Sequence, residues 1–268
     1  TCASIGNIFF NHRLFSMHGE GKYFDVLEKT LYNGALSGVN LAGDRFFYPN
    51  PLESNGQHER SAWFGCACCP SNVCRFIPAI PGYIYSVTDK DLYVNLFASN
   101  NADIELGNRK VTITQATNYP WEGRVIMTVD PDEAGKFNLR IRIPGWARNE
   151  ALPGGLYSFS NQSDEMFVIT VNGQATEAKI VNGYAIITRK WQTGDRVELE
   201  LPMPVRTVIA DERVKEDEGK MAVQRGPLMF CAEWPDNADD QVLGLVVDEK
   251  PEFTTEYRTD LLNGTQVI

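Results

Sequence analysis

Near residue 89 the chain changes period. Upstream, apolar residues recur at helical spacing: Ile5, Ile8, Phe9 and Leu14 between Cys2 and Met17, then Val26, Leu27, Leu31 and Ala35 between Tyr23 and Leu36. Each set makes one stripe on a helix of 3.6 residues per turn. Gly19 and Gly21 lie between the two runs, so two antiparallel helices are expected. Residues 37–67 are rich in Gly, Asn and Pro and read as a loop that carries Phe46, Phe47, Tyr48 and Trp63. A third helix, capped by Ser71 or Asn72, should run through Phe76 and Ile80 and be ended or bent by Pro78, Pro81 and Gly82.

Downstream the helical period is gone. Alternating segments at 92–98, 111–117, 125–129, 139–143, 167–171, 185–188, 197–201 and 221–224 are bounded by turn residues, among them Asn172-Gly173 and Asn182-Gly183. Short strands at this spacing imply an antiparallel β-sandwich, jelly-roll-like. The expected class is therefore α+β with more than one domain: helices over 1–88 and a β-sandwich over 89–268. The join near 86–91 is short, so the two parts should pack on each other.

Charge narrows the partners. Thirty-five acidic against 25 basic residues leave a net charge of -10, and no basic run interrupts it. A nucleic-acid surface is excluded on that ground, and neutral or cationic partners fit better. No apolar stretch approaches the roughly 20 residues needed to cross a bilayer. Residues 1–11 lack the basic start of a signal peptide. The chain opens at Thr1 without Met and runs straight into a helix. We read it as a piece of a longer protein, with any export signal upstream.

The chemistry should sit at the cysteines. They occupy positions 2, 66, 68, 69, 74 and 231. Neighbours such as Cys68 and Cys69 form a disulfide only with strain, and a core of this size has little need of one. Thiols held by a soft metal such as zinc are the expected state. Cys68 and Cys69 can supply two ligands and Cys2, at the head of the first helix, a third. Helix N-termini favour thiolate over thiol at both places. Cys66 competes: with it the site would be a closed four-thiolate centre of purely structural use. The plainer alternative is a set of small buried hydrophobes without metal. Cys74 and Cys231 are expected in the core. His12 and His18, six apart, do not share a helix face, and His58 lies in a polar loop, so structural or exposed roles are expected for all three. Tyr48 could line a sugar cleft, although taken alone it reads as a packed loop aromatic. No spacing singles out a pair among Glu53, Glu59 and Glu122.

Several stretches together resemble one family. Thr1-Cys2-Ala3-Ser4, Phe47-Tyr48-Pro49-Asn50-Pro51-Leu52, Trp63-Phe64-Gly65-Cys66-Ala67-Cys68-Cys69-Pro70-Ser71-Asn72, Ile143-Pro144-Gly145-Trp146 and Gln224-Arg225-Gly226-Pro227-Leu228 look like glycoside hydrolase family 127, the β-L-arabinofuranosidases. The resemblance implies that residues 1–88 are the last helices of an (α/α)6 barrel and that β-sandwich domains follow. It implies zinc held by Cys2, Cys68 and Cys69 together with a glutamate that would sit just before Thr1. Cys68 matches the family's nucleophile and Tyr48 an active-site tyrosine. The implied reaction is a retaining hydrolysis of β-L-arabinofuranosidic or similar pentose linkages in plant cell-wall glycans through a thioglycosyl intermediate. The family's acid/base glutamate lies further upstream, so these 268 residues alone are expected to be inactive. A function of another class competes: an accessory, carbohydrate-binding β-sandwich with a structural zinc-thiolate site. Selective alkylation of Cys68 would mark the enzyme, and resistance until chelation the module.

Overall fold

A computed structural model describes residues 1–237, 242–248 and 251–268. It is a mixed helix and sheet structure. The first two helices, α1 (Cys2–His18) and α2 (Gly21–Thr30), form the expected hairpin. Gly19 ends α1 in the left-handed region at φ 66°, and its N–H bonds to the Phe15 carbonyl. Gly21 is required for a different reason: its N–H bonds to Asn182 O at 2.7 Å, and a Cβ there would meet that oxygen at 3.0 Å. The start of α2 thus seats on the Asn182-Gly183 turn. A π-helical turn, Leu31–Ala35, and a 3-10 turn, Leu36–Gly38, extend α2.

The third helix, α3, spans Cys68–Phe76 and so begins earlier than expected. Ser71 does not cap it; its hydroxyl bonds back to the carbonyls of Ala67 and Cys68. Pro70 falls within the first turn, where a missing N–H costs no helix hydrogen bond. Both vicinal thiols are therefore inside the first turn rather than ahead of it. Beyond Phe76 the chain tightens into a 3-10 turn, Ile77–Ala79, and a last helical turn, Pro81–Ile84. Cys69, Val73 and Phe76 share one buried stripe of α3, and this stripe closes a core with Ile5, Ile8, Phe15, Phe24 and Leu27. No described helix is long and apolar enough to cross a membrane.

Two sheets follow and share one apolar core. The first is ordered Tyr85–Val87, Asp91–Val94, Gly135–Arg142, Tyr184–Trp191, Lys179–Val181. The second is ordered Asn100–Leu106, Arg109–Thr117, Arg124–Pro131, Asp195–Glu200, Val168–Val171, Gln174–Ala175. Alternation places Leu139, Ile141, Ala185 and Ile187 of one against Val111, Ile113, Val125, Met127 and Val197 of the other. The all-antiparallel expectation needs one correction, because Asp91–Val94 pairs with Gly135–Arg142 in parallel. Three strands of the second sheet intervene in sequence, so the chain returns to the first sheet by a crossover. A third sheet, ordered Leu228–Phe230, Met221–Arg225, Val205–Ala210, Tyr157–Phe159, and a hairpin of Glu256–Arg258 with Thr265–Val267 complete the described strands.

The helical part is fastened to the sheets by polar contacts that periodicity does not announce. Arg142 is fully buried. Its Nε donates to Asn95 O at 2.6 Å, Nη1 to Asp25 Oδ1 at 2.8 Å and Nη2 to Glu28 Oε1. Glu28 also accepts from the Tyr119 hydroxyl at 2.7 Å, and Asp25 from the Gly145 N–H at 3.0 Å. The next residue of α2, Lys29, donates to Gln224 Oε1 at 2.6 Å, and burial pushes its ammonium down to about 8. Asn33 donates to Pro227 O and accepts from Met229 N–H. The Gln-Arg-Gly-Pro-Leu motif is thus the docking edge of the third sheet against α2.

Candidate metal centre

Cys2 opens α1 and Cys68 and Cys69 open α3, so the centre lies where two helix N-termini meet. The helices cross with Phe9 edge-on to Phe76 at 5.9 Å. The start of α1 is pinned from the other side. The Thr1 nitrogen donates to Tyr48 O at 3.0 Å and its hydroxyl to Phe47 O at 2.6 Å. A Cβ on Gly38 would lie 2.7 Å from that hydroxyl, so only glycine lets the 3-10 turn approach Thr1 this closely. Asn50 ties the same loop back through a 2.8 Å bond to Gly34 O. Phe47 stacks on His58 at 4.7 Å and lies under the Arg60 guanidinium at 4.4 Å, while Tyr48 meets the edge of Phe64 at 5.6 Å. This clasp sets Tyr48 beside the sulfurs.

Cys2 Sγ lies 3.2 Å from Cys68 Sγ and 3.4 Å from Cys69 Sγ, and the latter two are 3.8 Å apart. All three thiols are free. Sulfurs at about 2.3 Å from a tetrahedral zinc stand about 3.8 Å from one another, so the spacing suits one soft cation and is far too long for a disulfide. The donor set fits as well: three thiols at two helix N-termini.

The electrostatics of the bare cluster point the same way. Burial works against the Cys2 thiolate, but the hydrogen bond from the Asn72 amide, those shared with Cys68 and Cys69, and the nearby Thr1 ammonium outweigh it and hold Cys2 below its ordinary value. Cys68 is pushed up to about 12, first by its hydrogen bond with Cys2 and then by burial. The Tyr48 phenol is raised, first by charge at Cys68 and then at Cys66 and Cys69. Thiolates this close repel one another, and a cation among them would relieve that repulsion.

Cys66 is exposed and stands outside the group formed by Cys2, Cys68 and Cys69. Cys74 and Cys231 are exposed, which corrects the expectation that they are core residues. On α3, Val73 and Phe76 take the inward stripe and leave Cys74 on the outer face. His12 packs on Tyr83 and Phe24, and His18 on Tyr23. Glu53 pairs with Lys220, and Glu122 accepts from Asn118. One residue was missed in sequence. Asn72, read there as a helix cap, donates its side-chain amide to Cys2 Sγ at 3.2 Å. The available signal was its position four residues after Cys68, which puts both on one helix face.

Family models match consecutive stretches: the beta-L-arabinofuranosidase GH127 catalytic domain over residues 1–82, the GH127 middle domain over 91–203 and the glycoside hydrolase family 127 C-terminal domain over 205–261. A curated non-reducing end beta-L-arabinofuranosidase of Bifidobacterium longum subsp. longum is 34% identical over 288 aligned residues, covering 100% of this chain and 41% of that protein. Among solved structures, a GH127 beta-arabinofuranosidase superposes with a TM-score of 0.95 at 48% identity, covering 99% of this chain and 42% of that one. A GH127 beta-L-arabinofuranosidase from Geobacillus stearothermophilus T6 gives 0.88 at 38% identity, covering 99% and 41%. The chain therefore spans about two-fifths of the length of these relatives. With three successive domains of one family aligned along it and close structural neighbours from the same family, the chain belongs to glycoside hydrolase family 127.

Proposed function

We propose that the full-length protein is a retaining glycosidase that cleaves β-L-arabinofuranosidic, or similar pentose, linkages in plant cell-wall glycans, with Cys68 as its nucleophile. On this reading residues 1–88 end an (α/α)6 barrel and residues 89–268 form jelly-roll-like β-sandwich structure. The observation that carries it is the convergence of Cys2, Cys68 and Cys69 Sγ within 4.8 Å of one another beside Tyr48.

Cys2, Cys68 and Cys69 would hold zinc, which would supply thiolate at neutral pH. Cys68 is the sulfur suited to attack. Cys69 is buried at 1% exposure, whereas Cys68 is half-buried at the mouth of the first turn. Its Sγ forms a bond to the anomeric carbon as the glycosidic C–O bond breaks, and the leaving oxygen takes a proton from an acid outside these 268 residues. Water then attacks the anomeric carbon as the C–S bond breaks and gives its proton to the same group outside these 268 residues, leaving the sugar with its original configuration and the sulfur as thiolate. Tyr48 keeps its proton next to this negative charge and so donates a hydrogen bond, to the sulfur or to a sugar oxygen.

The test is hydrolysis of an aryl β-L-arabinofuranoside by the full-length protein, with mass-spectrometric trapping of the glycosyl group. Label on Cys68 is expected; turnover with label elsewhere would defeat the assignment. Tyr48→Phe should lower kcat about 10–100-fold, the worth of one hydrogen bond to a charged group, with zinc content unchanged.

A further inference from the structure

Three sulfurs surround one point, yet only one can be the attacking atom. Burial sets Cys69 apart. Nothing of that kind distinguishes Cys2 from Cys68, since both are half-buried and both lead a helix. The difference is a side chain. Asn72 Nδ2 donates to Cys2 Sγ at 3.2 Å, and no side-chain amide bonds to Cys68 or Cys69 among the described residues.

We infer that Asn72 is a positioning residue that makes Cys2 a spectator ligand and leaves Cys68 as the reactive sulfur. The assignment rests on the reading of the site as a metal-thiolate centre. An N–H donor draws charge from a thiolate lone pair, so the bonded sulfur is both a weaker nucleophile and a more firmly oriented ligand. The geometry suits that task. Asn72 sits one turn beyond Cys68 on α3, while Cys2 belongs to α1, so the amide spans the two helices that build the centre.

Asn72→Leu keeps the bulk and removes the donor. In the full-length protein it should weaken zinc binding about 10–100-fold in competition with a chromophoric chelator. Two readouts lie beyond a merely structural role. In the cobalt(II)-loaded protein the sulfur-to-metal charge-transfer band should move to lower energy, because an unbonded thiolate gives up its electron more readily. Within the three-sulfur cluster, limited alkylation with iodoacetamide read by peptide mass should label Cys68 alone in the parent and both Cys68 and Cys2 in the variant, the exposed Cys66, Cys74 and Cys231 being labelled in both. Asn72→Asp, of the same shape and without a donor at neutral pH, should behave alike and serves if the leucine variant fails to fold. A parent protein that holds metal, with band and labelling unchanged in either variant, overturns the Asn72 assignment alone. A parent that holds no metal overturns the reading of the site, and the assignment with it.

Discussion

Cys68→Ser in the full-length protein is expected to lower kcat/KM on an aryl β-L-arabinofuranoside by at least about 10³-fold, the scale on which enzymes lose rate when a covalent nucleophile is removed. A serine hydroxyl stays protonated near neutrality and cannot replace a thiolate at carbon. The substitution also removes one of three sulfurs lying 3.2 to 3.8 Å apart, so zinc affinity should fall with activity. Cys66→Ser supplies the comparison. It lies two residues away, exposed and outside the cluster, and its replacement should leave kcat/KM within a few-fold of the parent. Steady-state kinetics on both variants with parallel metal analysis decides the matter. Loss of activity in the Cys66 variant with retention in the Cys68 variant would reverse the roles.

The largest effect on stability is expected from Arg142→Leu, at about 3–5 kcal/mol, the usual cost of removing one partner from a buried ionic network. Arg142 is fully enclosed and spends its fork on Asn95 O, Asp25 and Glu28, two of which lie on α2. Leucine would leave two carboxylates in the seam between helices and sheets with only the Tyr119 hydroxyl, the Gly145 N–H and a 3.4 Å contact to Arg148 Nη2. Urea unfolding should show the loss as a lower midpoint. Adding Asp25→Asn and Glu28→Gln to the same chain should recover part of it, because the uncompensated charges go with the substitutions. A loss below about 1 kcal/mol would mean that the seam does not depend on this network.

How far these features could be read in sequence depends on the range of the interactions behind them. The hairpin of α1 and α2 was legible because its apolar stripe and glycine stops are local. Strands such as Arg124–Pro131 were legible too, since every second side chain enters the core. Asn100–Leu106 was not: it is an edge strand whose first four residues are Asn, Asn, Ala and Asp, and only Ile104 and Leu106 are buried. Tyr157–Phe159 is too short to display a period. At the site, adjacent thiols drew the eye to Cys68 and Cys69. The α3 start was misplaced because Ser71 and Asn72 resemble caps, whereas their side chains serve the previous turn and the Cys2 sulfur. Asp25, Glu28 and Arg142 carry no local signal in the sequence. They meet across more than a hundred residues, and only the folded chain reveals that they face one another.

The convergence of sulfur from both helix starts on one cation is most directly tested by X-ray absorption at the zinc edge of the purified full-length protein. The expected first shell is three sulfurs at about 2.3 Å and one lighter atom. A shell of four sulfurs would put another cysteine in the centre, and a shell without sulfur would contradict the account outright.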